Sequence, residues 1–155
     1  MSRRSNEYLP GILNGISGIA AIGVSLFVDA RYEFPVGVAK ATGIFLVFVG
    51  MALASWAAIH IKEAILGEVE PRLSALVTSG PYKFIRHPVY LGITTALLGS
   101  TVTVRSWLGF LIVVLFFLPS VIYRAHQEER ALANKFPSEW NKYATQTRFM
   151  FPMRS

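Results

Sequence analysis

Long runs of apolar residues dominate this 155-residue chain, and the polar positions are gathered in a few short segments. Four runs, over about residues 9–28, 38–61, 89–104 and 107–123, are candidate membrane-spanning helices. A spanning helix needs about 20 apolar residues, so the third run is marginal by itself. Arg105 and Ser106 form a short joint between the third and fourth runs, which predicts a helical hairpin. The pattern therefore predicts an all-α, integral membrane helical bundle of about four spans, as a single domain over residues 1–155.

Composition supports a membrane location. The chain is 53% hydrophobic and 15% charged, whereas a typical soluble domain carries about 25% charged residues. It has no cysteine, which excludes a disulfide framework, a thiolate metal site and a cysteine nucleophile. The formal net charge of +6 could hint at a nucleic-acid partner in a soluble protein. We expect no nucleic-acid partner here, because the positions of the basic residues along the chain matter more than the net charge, and they follow the predicted spans.

The basic residues divide unequally between the two ends of the predicted spans. With the N-terminus inside, twelve lie on the cytoplasmic side: Arg3, Arg4, Lys62, Arg72, Lys83, Arg86, Arg124, Arg130, Lys135, Lys142, Arg148 and Arg154. Three lie outside: Arg31, Lys40 and Arg105. Cytoplasmic loops of membrane proteins carry an excess of Lys and Arg, so this distribution predicts an N-in, C-in topology. Two polar segments, over about residues 68–92 and 124–152, then face the cytoplasm, and we expect any chemistry there.

The first apolar run could instead be a secretory signal, since Arg3 and Arg4 precede it. The run is longer than a usual signal core, and no small-x-small cleavage pattern follows near residues 29–31. Its glycines, which include Gly11, Gly15 and Gly18, are typical of a helix that packs closely against its neighbours. We therefore interpret this run as a retained, packed helix.

The loop before the third run has features of a small binding site. Gly80 and Pro81 indicate a turn, and Pro88 suits the first turn of the next helix. His87 then lies beside the N-terminus of that helix, where unpaired N–H groups can bind an anionic group. Tyr82 and Tyr90 could pack on a flat heterocycle. From residue types alone, an interfacial belt of aromatic and basic side chains is the simpler interpretation.

The fourth run continues as a polar helix beyond the predicted membrane boundary. No breaker occurs between Tyr123 and Pro137, which predicts a cytosolic helical extension. Arg124 and Glu128 are four residues apart and share one face of that helix, although such a pair is often only a solvated ion pair. Pro119, inside the run, should kink the helix and tilt the extension.

Several other site classes find no support in the sequence. His60 and His126 have no acidic or histidine partner at a convincing metal-ligand spacing, so we expect no metal site. Neither a glycine-rich nucleotide fingerprint nor a nucleophile elbow occurs. A soluble Rossmann-type enzyme is excluded, because the chain has no βαβ pattern.

Two separated motifs lie on either side of the predicted hairpin. The first runs from Leu76 through the Gly80-Pro81-Tyr82 turn to the Arg-His-Pro-x-Tyr-x-Gly sequence at residues 86–92. The second follows the hairpin and consists of Glu128, Glu129, Leu132, Phe136, Tyr143, Arg148, Phe149 and Pro152. In this order the two motifs resemble the superfamily of isoprenylcysteine carboxyl methyltransferases and phospholipid methyltransferases. The resemblance covers about half of the chain, and the order of the motifs around a hairpin makes it specific.

The resemblance implies a membrane enzyme with S-adenosylmethionine in a pocket that faces the cytoplasm, and S-adenosylhomocysteine as its product. Carried over by position, the cofactor-binding residues are Leu76, Val77, Tyr82, His87, Pro88, Tyr90, Glu128 and Glu129. Arg124, one turn before Glu128, matches the position implied in acceptor binding, and the two are the expected catalytic residues. The expected partners are membrane lipid and a lipid or prenylated acceptor.

The acceptor is the open question. A carboxylate needs only a cation to orient it, and Arg124 suits this task with its forked donors. An amine acceptor must lose a proton, for which Glu129 or His126 could act as base. The chain also departs from the prenylcysteine enzymes at Ser74 and Ala75, where they often place His, and at Arg105, where they tend to carry Asn. We therefore predict isoprenylcysteine-type carboxyl O-methylation, with amino-lipid N-methylation and a non-catalytic ligand-binding module as alternatives.

Overall fold

The structure is a computed structural model that describes residues 3–29, 31–66 and 76–150, with side chains from residue 11 onward except at 62–66. Every regular element within these residues is helical, which confirms the all-α prediction there. Four long helices are α1 (Arg3–Phe27), α2 (Val36–Leu66), α3 (Pro88–Thr103) and α4 (Trp107–Lys135), and α5 (Pro137–Gln146) follows. A short 3₁₀ turn, Gly80–Lys83, precedes α3. Ser74, Ala75 and Pro152 lie outside the described residues.

Two of these helices are long and apolar enough to cross a membrane. They are α2, over Val36–Ile61, and α4. The apolar part of α1 within the described side chains is shorter, at Gly11–Phe27, and α3 has 16 residues. Large apolar side chains such as Ile19, Phe48 and Phe116 point outward and are 74%, 72% and 63% exposed, as expected for surfaces that contact lipid. The count of four spans and the N-in, C-in topology remain predictions.

Glycines let α2 and α3 pack with their backbones nearly in contact. A Cβ atom on Gly92 would lie 2.6 Å from the carbonyl oxygen of Gly50, and one on Gly50 would lie 2.5 Å from that of Gly92. Gly43 and Gly99 face each other in the same reciprocal way, at 2.6 and 2.7 Å. Small residues promote such close packing in membranes, where apolar burial does not favour helix association over lipid contact. The α2–α3 pair is thus a tightly fixed unit that ends at the polar loop.

The helix α4 changes its hydrogen-bonding pattern before Pro119. Residues Val113–Phe117 form a π-helical turn in which the Leu118 N–H donates to the carbonyl of Val113. Proline has no N–H to donate and its ring crowds the preceding turn, so a local adjustment of this kind accommodates it. A π-helical turn therefore comes just before the proline, and the kink and tilt of the extension stay predictions. Beyond it the helix continues to Lys135, as the absence of a breaker predicted.

The two short loops at the far end of the bundle lie against each other. Tyr32 N–H donates to the carbonyl of Arg105 at 3.0 Å, and Arg31 pairs with Ser106. Arg105 has a φ of 60°, a left-handed conformation in which Gly and Asn are more common. Ser106 then caps α4 by accepting a hydrogen bond from the Gly109 N–H at 3.1 Å. The predicted hairpin joint is therefore confirmed.

Candidate active site

The N-terminus of α3 forms one wall of the site. The helix begins at Pro88, and His87 is its capping residue, with a non-helical backbone at φ −124° and ψ 58°. His87 is 7% exposed, and its ring stacks on that of Tyr90 with 5.7 Å between centroids. Proline at the first helical position costs no hydrogen bond, because that N–H would be unpaired in any residue. The turn therefore presents His87 and Tyr90 from a fixed backbone.

The C-terminal segment pairs with the loop that precedes α3. Arg86 N–H donates to the carbonyl of Arg148 at 2.8 Å, and His87 N–H donates to that of Phe149 at 3.2 Å. Arg148 N–H returns a bond to the carbonyl of Phe84 at 3.0 Å. These bonds form a short parallel bridge that connects two segments far apart in sequence. The loop before α3 thereby has a fixed position against the tail.

The Arg86 side chain ties three elements together. Its Nε donates to Glu129 Oε1 on α4 at 2.6 Å, and its Nη1 donates to the carbonyls of Ala144 and Thr147 at 3.0 and 2.8 Å. The Arg86 and Glu129 side chains are only 14% and 17% exposed. Because charge-assisted bonds in a partly dry environment are strong, this cluster holds α4 and α5 against the loop.

Glu129 is ionised within this cluster. Burial alone would raise its pKa, but hydrogen bonds from His87 and Arg86 outweigh that effect and lower the pKa below its ordinary value. The His87 Nε2 atom lies 3.3 Å from Glu129 Oε1. Glu129 therefore binds two residues of the loop, Arg86 and His87.

Glu128 lies one residue earlier on α4 and points in a different direction. Its Oε1 accepts hydrogen bonds from the Tyr90 hydroxyl at 2.5 Å and from Arg124 Nε at 3.1 Å. Its Oε2 faces His87 Nδ1 at 4.0 Å. The side chain is 41% exposed, so the carboxylate is oriented by its neighbours and remains accessible to a ligand.

A cavity of about 450 Å³ lies between these elements. Ligand pockets commonly have a volume of about 300–1,000 Å³ and a mostly apolar lining with a few placed polar groups. Its lining joins the loop, the start of α3, α4 and α5, and consists of Ile61, Leu76, Val77, Tyr82, Arg86, His87, Val89, Tyr90, Glu128, Ala131, Leu132, Trp140 and Tyr143. The arrangement can hold a ligand with an apolar body and a cationic or hydroxyl-bearing end directed at Glu128.

The comparison with protein families decides the classification. The sequence pattern described as phospholipid methyltransferase matches residues 38–139, which is well over half of the chain. The chain belongs to this family. The family is part of the superfamily of integral membrane methyltransferases that the two motifs resemble, so that prediction is confirmed.

One curated relative is similar to this chain over part of its own length. The chain is 34% identical over 113 residues to the cobalt-zinc-cadmium resistance protein CzcN of Cupriavidus metallidurans. The match covers 68% of this chain and 47% of the relative, so the chain spans about half of that protein's length. Among the residues described by the structure, no group of three or more His, Asp or Glu side chains could hold a metal ion.

Six of the eight cofactor positions predicted for this family member line the cavity. They are Leu76, Val77, Tyr82, His87, Tyr90 and Glu128. Pro88 is fully buried and sets the start of α3 rather than the lining. Glu129 is likewise absent from the lining and binds Arg86 and His87. Neighbouring residues of a helix point in directions about 100° apart, and here Glu128 faces the cavity while Glu129 faces the loop.

Several lining residues of the methyltransferase were not predicted from the sequence. Tyr143 on α5 donates to the carbonyl of Tyr82 at 2.9 Å. Burial raises the pKa of the Tyr143 hydroxyl to about 12 and also raises that of Tyr82. Trp140 lies beside Tyr143, with 5.9 Å between the two rings. Trp140 and Tyr143 are three residues apart on a short amphipathic helix, and this spacing indicates that they share a buried face. It does not indicate which other element that face packs against.

Arg124 lies beside the cavity but does not line it. Its Nε bonds Glu128, and its Nη1 reaches α1 next to Gly11. The side chain is 42% exposed. The guanidinium thus occupies the side of Glu128 that faces α1.

The two remaining histidines do not line the cavity. His126 Nδ1 lies 2.8 Å from the carbonyl oxygen of Ile122, and its ring packs on Phe149 at 4.7 Å. His60 lies over the turn at Gly80, whose φ is +57°. A Cβ atom at Gly80 would come within 2.5 Å of the His60 ring. His60 therefore packs on a turn that requires glycine.

Proposed function

We propose that this protein is an S-adenosylmethionine-dependent methyltransferase that methylates the carboxylate of an isoprenylcysteine-type acceptor at the membrane. The observation that carries the proposal is the cavity beside Glu128, which is lined by six of the cofactor positions that the sequence resemblance implies. The expected products are a methyl ester and S-adenosylhomocysteine. Family membership indicates a membrane methyltransferase, and the proposal goes further by naming the cofactor, the acceptor and the roles of individual residues.

The chemistry of the lining fits this cofactor. The carboxylate of Glu128 is oriented by Tyr90 and Arg124 and can accept hydrogen bonds from an ammonium group or from ribose hydroxyls. Tyr82 and Trp140 offer aromatic surface for a flat heterocycle, and both line the cavity. Leu76 and Val77, on the loop, can contribute backbone groups as well as apolar contact.

Positioning is the main catalytic task of these residues. S-adenosylmethionine, when bound, supplies a methyl group that its sulfonium already activates for in-line displacement. The carbon–sulfur bond breaks as the bond from that carbon to the acceptor oxygen forms, and the sulfur keeps the electron pair. Arg124 would hold the acceptor carboxylate, because its bond to Glu128 uses Nε and the guanidinium carries further N–H donors. Holding two reactants in line can account for much of the rate of such a reaction.

An amine acceptor is the second candidate, because the family description names phospholipids. An amine must lose a proton, and the bases considered for this step were Glu129 and His126. Glu129 is bound to Arg86 and His87, and His126 lies against Ile122 and Phe149. Neither side chain lines the cavity. These contacts support the carboxylate over the amine.

Transfer of a radiolabelled methyl group tests the proposal. Purified protein should bind S-adenosylhomocysteine and should transfer label to a prenylcysteine analogue in a form that base releases as methanol. The matching prenylcysteine carboxamide, which lacks the carboxylate, should accept none. Base-stable label on an amino-lipid would instead establish the amine candidate. Folded protein that binds no S-adenosylhomocysteine would contradict both enzyme functions and would favour a non-catalytic module.

We also propose that the site faces the cytoplasm. The basic residues concentrate at the end of the bundle that carries the site, and the loop with Arg31 lies at the opposite end beside Ser106. The chain has no native cysteine, so single cysteines can report sidedness. In intact cells, a membrane-impermeant maleimide should label Arg31→Cys and should leave Lys142→Cys unlabelled until the membrane is opened. The reverse pattern would overturn the orientation.

A further inference from the structure

The helix α1 lies entirely outside the part of the chain that matches the family pattern, which begins at residue 38. It nevertheless reaches the site. A Cβ atom on Gly11 would lie 2.7 Å from Arg124 Nη1 and 3.8 Å from Arg124 Cζ. Carbon and nitrogen atoms that are not bonded to each other do not approach to 2.7 Å without repulsion. The guanidinium of Arg124 therefore occupies the space that only glycine leaves free at position 11.

The register between α1 and α4 is fixed around this contact. The hydroxyl of Ser120, one turn before Arg124, donates to Asn14 Oδ1, which lies about one turn after Gly11. Farther along, Phe117 packs against Gly18. A hydrogen bond between side chains inside an apolar layer resists sliding, because a shift would leave both groups without partners. Gly11 is thus held opposite Arg124.

The guanidinium is confined on two sides. Its Nε edge is held by Glu128 Oε1 at 3.1 Å, and its Nη1 end lies against the backbone of α1 at Gly11. We propose that Gly11 is a positioning residue for the acceptor, since it sets the place of the Arg124 guanidinium beside Glu128. This inference rests on the proposed function, in which Arg124 orients the acceptor carboxylate. It adds that α1 completes the acceptor side of the site.

A methyl group at position 11 should move Arg124 without unfolding the protein. The nearest atom is the end of a long side chain, which can rotate away, and alanine favours a helix more than glycine does. A displacement of about 1 Å in a positioning group can cost on the order of 100-fold in rate. Gly15 provides a matched control, because it lies one turn farther along α1 and a Cβ atom there would meet nothing within 4 Å.

The test compares Gly11→Ala, Gly15→Ala and wild type in methyl transfer to a prenylcysteine analogue and in S-adenosylhomocysteine binding. We expect Gly11→Ala to lower kcat/KM for the acceptor at least tenfold, with a raised acceptor KM and a cofactor Kd within twofold of wild type. Gly15→Ala should stay within twofold in both measurements. Equal turnover in the two variants, or a cofactor Kd that rises in parallel with the loss of turnover, would overturn the role of Gly11.

A change of Arg124 to lysine tests whether the effect passes through this side chain. The lysine ammonium would end near the position of the Arg124 Cζ, 3.8 Å from the added carbon, so the repulsion should disappear. In the Arg124→Lys background, Gly11→Ala should therefore change the residual turnover less than twofold. An undiminished tenfold loss there would show that Gly11 acts on the fold instead. If wild type transfers no methyl group to this acceptor, the proposed function is overturned and this inference with it. If wild type is active and Gly11→Ala is equally active, only the inference is overturned.

Discussion

Arg86 Nε lies 2.6 Å from Glu129 Oε1, although 43 positions separate the two residues in sequence. The same arginine binds two carbonyls at the end of α5, and the same glutamate receives His87. One partly buried ion pair thus connects the loop before α3 with α4 and the tail. Every wall of the cavity except α2 is attached to this pair, so the site depends on it for its shape.

Loss of the Arg86 side chain should destabilise the protein strongly. Arg86→Ala leaves the Glu129 carboxylate without its main partner in a site that is 17% exposed, and removal of one member of a buried pair costs about 3–5 kcal/mol. We expect a fall of roughly 3 kcal/mol in the free energy of unfolding, measured by denaturant titration in detergent. Lys83→Ala, at an exposed position in the same loop, should change it by less than about 0.5 kcal/mol. Similar effects of the two changes would contradict this role for Arg86.

Acid should weaken the same cluster. Hydrogen bonds in the folded protein lower the pKa of Glu129 against the opposing effect of burial, so the ionised form stabilises the fold. This contribution is fully present above the unfolded pKa of about 4.3 and is lost as the pH falls through the lower folded value. We expect the unfolding free energy of wild type to fall more between pH 6 and pH 3 than that of Glu129→Gln. Parallel curves for the two proteins would show that Glu129 is not the responsible group.

Glu128 should matter for cofactor binding. Its carboxylate lines the cavity and is held by Tyr90 and Arg124. Removal of a charged hydrogen-bond partner costs about 1.5–3 kcal/mol, which corresponds to roughly 10- to 150-fold in affinity. Glu128→Ala should therefore raise the Kd for S-adenosylhomocysteine by about that factor in isothermal titration. Tyr90→Phe, which removes only the hydroxyl that orients Glu128, should have a smaller effect. An unchanged Kd in Glu128→Ala would place the cofactor elsewhere.

Removal of the Arg124 side chain should abolish turnover and leave cofactor binding nearly unchanged. Its guanidinium lies beside the cavity without lining it, and the proposed function gives it the acceptor carboxylate. Arg124→Ala is expected to keep the Kd for S-adenosylhomocysteine within a few-fold of wild type and to abolish measurable methyl transfer. A variant that loses cofactor affinity and turnover to the same extent would assign Arg124 to the cofactor side.

The α2–α3 contact should be intolerant of any added side chain. A Cβ atom at Gly92 would meet backbone atoms of Gly50 and Ala54 at 2.6 and 2.7 Å, and backbone cannot rotate away as a side chain can. Gly92→Ala should therefore force the helices apart and cost about 1–3 kcal/mol of unfolding free energy. Gly23→Ala, where nothing lies within 4 Å, serves as the control and should be neutral or slightly stabilising. Equal stability of both variants would contradict the close packing.

The local elements followed from sequence because their causes are local. The start of α3 at Pro88 and the end of α4 before Pro137 were both predicted, since proline restricts the backbone wherever it occurs. The turn at Gly80 was predicted for the same kind of reason. The apolar runs predicted the four long helices to within a few residues at most ends, and the absence of a breaker predicted the extension of α4 to Lys135. The resemblance then supplied the residue roles that these local rules cannot give.

The directions of side chains were harder to predict. Glu128 and Glu129 are adjacent glutamates, and the resemblance assigned both to cofactor binding. Only the packing of α4 against the loop decided that Glu128 faces the cavity and Glu129 faces Arg86. His126 was a candidate base, but its ring packs on Phe149 and the residue does not line the cavity.

The sequence by itself determined the helical, apolar character of this protein, the positions of its turns and its family, because these depend on local composition and on motif order. The tertiary structure alone decided which polar groups meet. The contacts of Arg86 with Glu129 and of Arg124 with Gly11 join residues that are distant along the chain. Such contacts depend on helix register and on close packing at glycines, which are properties of several elements together. No single segment encodes them.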